Sequence, residues 1–202
     1  ITRATEKFAA QYAEARAQTL TKTSFTMKES RVEAAKQGIE SGVALRVLVN
    51  GAWGFASVGS FDVDVLVEAV SDACSMAKAA SLRLKEPIVL APTKPVEDHV
   101  ELKPKKDPSQ ISIEEKIALG SALTATTLGF DERIKSCTVD YLDLKGTSYF
   151  ANNQGTYIQQ DKMYVWARAT ASALQNGVFT YSREELGSTA GYELFDQQPS
   201  EE

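Results

Sequence analysis

Two β-favouring segments joined by the dipeptide Asn50-Gly51 constrain the fold of this chain more than any other feature. Residues 43–49 read Val-Ala-Leu-Arg-Val-Leu-Val, and a second run containing Trp53 and Phe55 follows the dipeptide. Asn and Gly tolerate the positive φ angles of a type I′ turn, whose twist matches that of two paired strands. The sequence therefore predicts a β-hairpin here.

Polar and apolar residues alternate before this hairpin and predict further antiparallel strands. Residues 13–27 read as a long, half-exposed strand, residues 28–30 as a turn and residues 31–40 as a return strand. With the hairpin that follows, these segments predict a four-stranded antiparallel meander.

Two helices are predicted to flank the meander. One covers residues 3–11, and the other begins at Asp62 or Asp64 and runs to about Leu84 with apolar residues on one face. Cys74 lies on that apolar face, so we interpret it as an inert packing residue rather than a nucleophile.

Residues 86–108 contain five of the six prolines and predict a connector, with a short strand near residues 88–90. The tight basic cluster of Lys103, Lys105 and Lys106 lies among Pro104 and Pro108 and is typical of a solvated linker.

The second half of the chain repeats the plan of the first. A helix is predicted from Ser112 to about Leu128, and Asn176-Gly177 echoes the earlier Asn-Gly turn. Chance is the alternative explanation, since Asn-Gly hairpins are common in antiparallel sheets. The predicted strands of this half cover residues 133–144, 148–152, 157–174 and 178–182.

We therefore predict an α+β fold of antiparallel sheets with packed helices, in which a helix-plus-β-meander unit is duplicated. The two sub-repeats cover about residues 1–85 and 109–195, and the proline-rich connector of residues 86–108 joins them.

Composition excludes several functional classes. The 202 residues are 43% hydrophobic and 24% charged, as in an average globular protein. A net charge of −5 argues against a nucleic-acid partner, and no apolar run approaches the roughly 20 residues that span a bilayer. Two cysteines predict a reducing, cytoplasmic setting. The non-Met start at Ile1 and the polar end, residues 197–202, are typical of a fragment of a longer protein.

The sequence offers no recognisable catalytic or metal-binding constellation. His99 is the single histidine, and neither cysteine is close to it in sequence, so no zinc ligand set or Ser-His-acid triad can be assembled. Asp140 and Asp143 share a predicted strand, but their odd spacing points them to opposite faces. Glu184-Glu185 is predicted to be a solvated loop or helix start.

Six aromatic residues lie on predicted strands of the second half and are interpreted as packing residues. A sheet face or edge that carries such residues can also bind an extended peptide by strand addition. The six are Tyr141, Tyr149, Tyr157, Tyr164, Trp166 and Tyr181.

The stretch Gly42 to Ser57 resembles the N-terminal region of the TldD/PmbA family, also called TldD/TldE proteases or modulators of DNA gyrase. The matching pattern is Gly-Val-x-x-Arg-Val, a Gly turn, and Gly-Phe-Ala-Ser. Asn153-x-Gly155, the helix start Glu114-Glu115-Lys116, residues 134–141 and Gly191-Tyr192-Glu193 also resemble the family. We interpret the motif residues as structural: Gly42, Arg46, Gly51, Gly54, Phe55, Ser57, Asn153 and Gly155.

The resemblance implies a soluble cytoplasmic protein that is either a zinc metallopeptidase or its paired, metal-free subunit. The family's zinc ligands come from a His-Glu-x-x-x-His helix and a Cys later in the chain, and this sequence contains no such motif. No catalytic, metal or substrate-binding residue is therefore carried over, and zinc is expected only in a longer parent protein. Residues 1–202 are then a single N-terminal domain that shapes the channel for an unstructured peptide substrate and the contact with a homologous subunit.

Two other readings remain open. The chain can be a stand-alone module for protein interaction or dimerisation, or the parent can be the metal-free partner subunit of such a protease. The older family name suggests DNA binding, which the negative charge disfavours.

Overall fold

The computed structural model describes residues 1–196, except for the side chains of residues 2–4. Each of its first and third helices is followed by three strands, and short 3₁₀ helices lie at Pro108–Gln110 and Tyr192–Asp196. The elements are α1 Thr2–Phe8, β1 Tyr12–Lys28, β2 Arg31–Val49, β3 Ala52–Val58, α2 Val63–Ser81, β4 Glu97–Val100, α3 Ile113–Phe130, β5 Ile134–Asn152, β6 Tyr157–Gln175 and β7 Val178–Ser188.

The strands of this described part are hydrogen-bonded in the order β3-β2-β1-β5-β6-β4, and β7 also pairs with β6. β2 pairs with β3, and β6 with β7, in antiparallel register, whereas the four-residue β4 lies parallel to the start of β6. The predicted α+β class, with antiparallel sheet and packed helices, is confirmed.

The chain divides into two compact units. Unit 1 contains residues 1–19, 40–101 and 147–161. Its helix α2 begins at Asp62, whose carboxylate accepts hydrogen bonds from the backbone N–H groups of Asp64 and Val65. One face of α2 packs on alternate residues of β2, because the side chains of a strand point to opposite faces in turn. The core consists of Ala13, Val43, Leu45, Val47, Val49, Ala69, Val70, Ala73, Cys74 and Ala77.

Unit 2 contains residues 20–39, 102–146 and the described residues from Lys162 onward. Its helix α3 begins at Ser112, whose hydroxyl accepts a hydrogen bond from the N–H of Glu115, and Glu114 and Glu115 lie in the first turn as predicted. The buried residues of its core are Phe25, Met27, Cys137, Val139, Tyr141 and Ala167.

Two predicted strand boundaries are wrong. Residues 31–40 and 43–49 form one strand, β2, because the backbone stays extended through Gly42, which has no positive φ angle. Residues 133–144 and 148–152 likewise form one strand, β5. A glycine inside a strand pattern therefore marked no turn at either place. The first meander has three strands rather than four.

Three local predictions also need correction. The strand expected near residues 88–90 is absent from the described structure, and the connector forms β4 at Glu97–Val100 instead. α1 ends at Phe8 rather than residue 11, because Ala9 adopts a left-handed conformation with φ 54°. Glu184-Glu185 lies within β7, where its backbone pairs with β6 rather than forming a loop.

The order of one helix followed by three strands occurs twice, as α1-β1-β2-β3 and as α3-β5-β6-β7. The two compact units do not correspond to the two predicted sub-repeats, because each unit combines separate segments of the chain. The proposed duplication and its boundaries therefore stay predictions.

Candidate functional site

The Asn50-Gly51 hairpin forms as predicted. Both residues have positive φ angles, 50° and 74°, and Val49 pairs with Ala52 across the turn. The N–H of Gly51 donates to Oε1 of Gln11 over 2.9 Å. Any other residue at position 51 would be strained by this φ angle and would also crowd the connector, so this glycine has a structural role.

Gly54 allows helix α2 to approach strand β3 closely. A side-chain carbon at this position would lie 1.9 Å from the carbonyl oxygen of Ala73, a distance that no real contact adopts. A side chain at position 54 would therefore force α2 and β3 apart.

Asn153 and Gly155 lie at the turn between β5 and β6. Asn153 exchanges two hydrogen bonds with Ala13: its N–H donates to the Ala13 carbonyl, and its Oδ1 accepts from the Ala13 N–H, each over 3.0 Å. Gly155 has a φ of 90° in the turn. Both residues shape the backbone beside the start of β1.

Arg46, Phe55 and Ser57 lie on the face of the unit 1 sheet opposite the core. Arg46 and Phe55 are cross-strand neighbours. Gly42 lies near the other end of the β2–β3 pairing, where a side-chain carbon would come within 2.9 Å of the Val58 carbonyl oxygen. The guanidinium of Arg46 lies 4.4 Å from the centre of the Trp53 ring, a cation–π geometry.

Glu14 fixes the Arg46 guanidinium from the neighbouring strand. Arg46 Nη2 lies 3.1 Å from Glu14 Oε1, and the hydroxyl of Tyr12 donates to Glu14 Oε2 over 2.7 Å. Burial raises the pKa of Tyr12, and its hydrogen bond to the Glu14 carboxylate raises it further. The Tyr12 ring also meets Trp53 edge-on, with centres 5.9 Å apart. The guanidinium is thus oriented by a buried carboxylate and an aromatic ring.

Glu14 and Arg46 border a cleft of 400 Å³. We call the surface formed by the residues that line this cleft the Arg46 face. Phe55 is 54% exposed there, so its ring is accessible to a ligand. Arg16 stacks on Phe150 at 4.6 Å. The face offers guanidinium donors and an apolar ring, which suits binding rather than bond cleavage. The residues lining the cleft are Glu14, Arg16, Ala44, Leu45, Arg46 and Phe55.

Unit 2 contains a second tyrosine–carboxylate pair, which is buried. The hydroxyl of Tyr141 donates to Asp143 Oδ2 over 2.7 Å, and Lys116 Nζ lies 2.6 Å from the same oxygen. Burial, and then the hydrogen bond to Asp143, raises the pKa of Tyr141 well above its usual range. The sequence predicts that Asp140 and Asp143 point to opposite faces, and in the structure Asp140 pairs with Arg168 whereas Asp143 pairs with Lys116. The pairing of Lys116 was not predicted.

The other candidate reactive groups are dispersed. His99 lies in β4 with its side chain about half exposed, and its Nδ1 is 3.9 Å from a Glu101 carboxylate oxygen. Cys74 and Cys137 are buried and unpaired, and burial raises the pKa of the Cys74 thiol. Among residues 1–196, no three His, Cys, Asp or Glu side chains are grouped so that they could hold a metal ion.

No helix in the described part of the chain is long and apolar enough to cross a membrane.

Two family models match most of this sequence. Residues 13–77 match the model described as PmbA/TldA metallopeptidase domain 1, and residues 106–201 match the model of the PmbA/TldA metallopeptidase central domain. The Arg46 face therefore lies in the region that matches domain 1.

Curated relatives carry the name metalloprotease. The chain is 29% identical over 164 residues to Metalloprotease MJ0996 of Methanocaldococcus jannaschii, covering 80% of this chain and 36% of that protein. It is 30% identical over 171 residues to Metalloprotease slr0863 of Synechocystis sp., covering 84% and 36% respectively. The chain thus spans little more than a third of the length of these relatives.

Solved structures share the fold. TldE from Thermococcus kodakarensis superposes with a TM-score of 0.71 at 16% identity, covering 96% of this chain and 43% of that one. A Bacteroides thetaiotaomicron protein, whose name refers to modulation of DNA gyrase, gives 0.74 at 19% identity, with 93% and 43% covered. The resemblance inferred from the sequence motif is confirmed: this chain belongs to the TldD/PmbA family and contains regions that match its domain 1 and its central domain.

Proposed function

We propose that this chain is the non-catalytic N-terminal part of a TldD/PmbA-type zinc metalloprotease and that its Arg46 face guides an unstructured peptide toward the catalytic centre. The observation that carries the proposal is the exposed Phe55 ring beside a guanidinium that Glu14 and Trp53 hold in place. Exposed apolar surface next to fixed polar groups is typical of interaction sites. For Arg46 and Phe55, this proposal replaces the purely structural interpretation.

Zinc is implied by the relatives named metalloproteases. A catalytic zinc site takes three protein ligands from His, Cys or carboxylate groups. Residues 1–196 bring no such three together, and the His99 ring nitrogen Nδ1 lies 3.9 Å from a Glu101 carboxylate oxygen. The described residues do not fit zinc, so we derive no metal-dependent step from them and assign the ligands to another part of the parent protein.

The Arg46 face would act by binding. An extended peptide carries backbone carbonyl groups that accept hydrogen bonds from a guanidinium, and the Phe55 ring supplies apolar contact area. Because Glu14 already orients Arg46, little side-chain entropy is lost when a peptide binds. Such contacts favour unfolded segments of varied sequence, which agrees with a guiding role.

The proposed subunit contact is supported by strand β7. Among the described strands it pairs with β6 alone, and a row of backbone groups is left for another chain. Val178, Phe179, Tyr181 and Leu186 are each more than half exposed on it. We propose a homologous subunit as the partner, either a second copy or the paired catalytic or metal-free chain. The buried, unpaired cysteines support the proposed cytoplasmic setting.

The proposal is tested with the full-length protein, in the presence of its partner subunit, on an unstructured peptide substrate. Phe55→Ser should raise KM about fivefold or more, because it removes an exposed apolar contact, and it should leave kcat and zinc content unchanged. Phe61→Ser is the matched control: Phe61 is 50% exposed in the same unit but does not line the cleft, so KM should not change.

Zinc content is measured by mass spectrometry for both variants and for the 202-residue chain. Stoichiometric zinc on the 202-residue chain would contradict the non-catalytic assignment. An unchanged KM in Phe55→Ser would remove the guiding role from the Arg46 face.

A further inference from the structure

Unit 2 contains a cleft of 340 Å³ in which charged and polar side chains lie beside apolar ones. We propose that this cleft is a carboxylate-binding subsite, which takes either the free C-terminus of a peptide or an Asp or Glu side chain. The inference rests on the proposed function, since that function makes peptides the ligand class. The lining residues on which the proposal rests are Ser24, Thr26, Lys36, Asp140, Trp166 and Arg168.

Asp140 and Trp166 orient the Arg168 guanidinium, which lines the cleft. Its Nη2 and Nε lie 2.8 and 3.3 Å from Asp140 Oδ2, and Thr26 donates its hydroxyl proton to Asp140 Oδ1 over 2.8 Å. The guanidinium carbon lies 5.2 Å from the centre of the Trp166 ring. A guanidinium positioned in this way is preorganised for a planar anion.

Several donors of the cleft have no acceptor among residues 1–196. Arg168 uses Nε and Nη2 for Asp140, so the protons on Nη1 are left over. Lys36 is exposed and makes no ion pair there, and the Ser24 hydroxyl has no hydrogen-bond partner in the same described part. An excess of donors selects a ligand rich in acceptors.

The charges limit the ligand to a monoanion. Asp140 neutralises Arg168, and Lys36 leaves one uncompensated positive charge in the lining. A carboxylate matches this single charge and the planar fork of the guanidinium, whereas a phosphate group brings close to two negative charges. The volume is near the lower end of the range for ligand pockets, which suits one side chain or one chain end.

The test measures the binding of three short fluorescent peptides to the full protein. A chelator is present so that no peptide is cleaved. Apart from the groups named next, the peptides contain only neutral residues. The first ends in a free carboxylate, the second is amidated and contains one Glu, and the third is amidated and contains Gln in its place. We expect the first or the second to bind about tenfold more tightly than the third at low salt, and the advantage to shrink in salt.

Lys36→Gln should remove most of that advantage without changing the affinity for the neutral peptide. Arg31→Gln is the matched control: it removes one exposed positive charge from the same strand, at a position that does not line the cleft.

Tighter binding of the free C-terminus identifies a chain-end subsite, and tighter binding of the Glu peptide identifies a side-chain subsite. Equal affinity for all three peptides, or equal losses in both variants, would overturn the carboxylate subsite while leaving the guiding role of the Arg46 face intact. Absence of binding for every peptide would overturn both proposals.

Discussion

Each unit of this protein contains a tyrosine that donates its hydroxyl proton to a carboxylate two residues later on the same strand. In unit 1 Tyr12 donates to Glu14, and in unit 2 Tyr141 donates to Asp143, both over 2.7 Å. The cations that complete the two clusters differ in environment. The side chain of Arg46 is 47% exposed, whereas that of Lys116 is 2% exposed.

This difference assigns separate roles to similar clusters. A buried ion pair is costly to desolvate and very costly to break, because removing one partner leaves the other charged and unpaired. A pair whose cation is half exposed is less costly to break and keeps the donors of that cation within reach of a ligand. The Lys116 cluster therefore contributes to the stability of unit 2, whereas the Arg46 cluster has the exposure that its proposed role in recognition requires.

The largest expected effect comes from exchanging each cation for methionine. Lys116→Met should lower the free energy of unfolding of unit 2 by about 3–5 kcal/mol, because Asp143 stays buried without its cation. Arg46→Met should lower the free energy of unfolding of unit 1 by no more than about 1 kcal/mol, because Arg46 is half exposed and Arg16 Nε still lies 3.5 Å from the Glu14 carboxylate. The two changes are matched, as each replaces a long cationic side chain with an apolar one.

The two tryptophans separate the units in this measurement. Trp53 lies in unit 1 and Trp166 in unit 2, so a Trp53→Phe background reports unit 2 by fluorescence in urea, and a Trp166→Phe background reports unit 1. If Lys116→Met and Arg46→Met lowered the free energy of unfolding of their units equally, the proposed distinction between a structural cluster and a recognition cluster would be contradicted.

The hairpins and helix starts could be predicted from the sequence because local chemistry determines them. Asn50-Gly51 and Asn176-Gly177 adopt the positive φ angles that a two-residue turn requires, and Asp62 and Ser112 cap their helices through side-chain oxygens. The error at Gly42 has a physical cause. Glycine permits a turn without enforcing one, and β2 continues through Gly42 as one extended strand.

The two clusters were missed for a different reason. Tyr12-Ala13-Glu14 and Tyr141-Leu142-Asp143 are visible as a tyrosine two residues before an acid on a predicted strand, a spacing that places both side chains on one face. Their cations come from other elements, Arg46 from β2 and Lys116 from α3. Which elements become neighbours depends on strand order and helix packing, and no local spacing in the sequence encodes them.

A smaller effect is expected when each tyrosine loses its hydroxyl. Tyr141→Phe should destabilise unit 2 by about 1–3 kcal/mol, because a buried carboxylate loses a hydrogen-bond donor. Tyr12→Phe should cost unit 1 less, since Arg46 and Arg16 also lie beside Glu14 and are partly exposed to water. Urea midpoints in the same single-tryptophan backgrounds measure both changes. If Tyr12→Phe lowered the free energy of unfolding more than Tyr141→Phe does, the proposed difference between the two clusters would be contradicted.

Alkaline pH gives the smallest and most specific test of the comparison. Burial, and then the negative charges of Glu115 and Asp143, raises the pKa of Tyr192 to about 12, and Tyr141 is shifted in the same direction. In the unfolded chain tyrosines lose their protons near pH 10. Above that pH the unfolded state binds fewer protons than the folded state, so the free energy of unfolding falls as pH rises toward 12.

The urea midpoint of unit 2, reported by Trp166, should therefore fall between pH 10 and pH 12, and tyrosinate absorbance should rise together with unfolding. Lysines also titrate in this interval, so Tyr192→Phe serves as the control, and its midpoint should fall less steeply than that of the parent chain. Equal slopes would show that Tyr192 titrates alike in both states. The decrease in stability of unit 2 at alkaline pH would then come from the other ionisable groups rather than from Tyr192, which is partly buried against the core of unit 2.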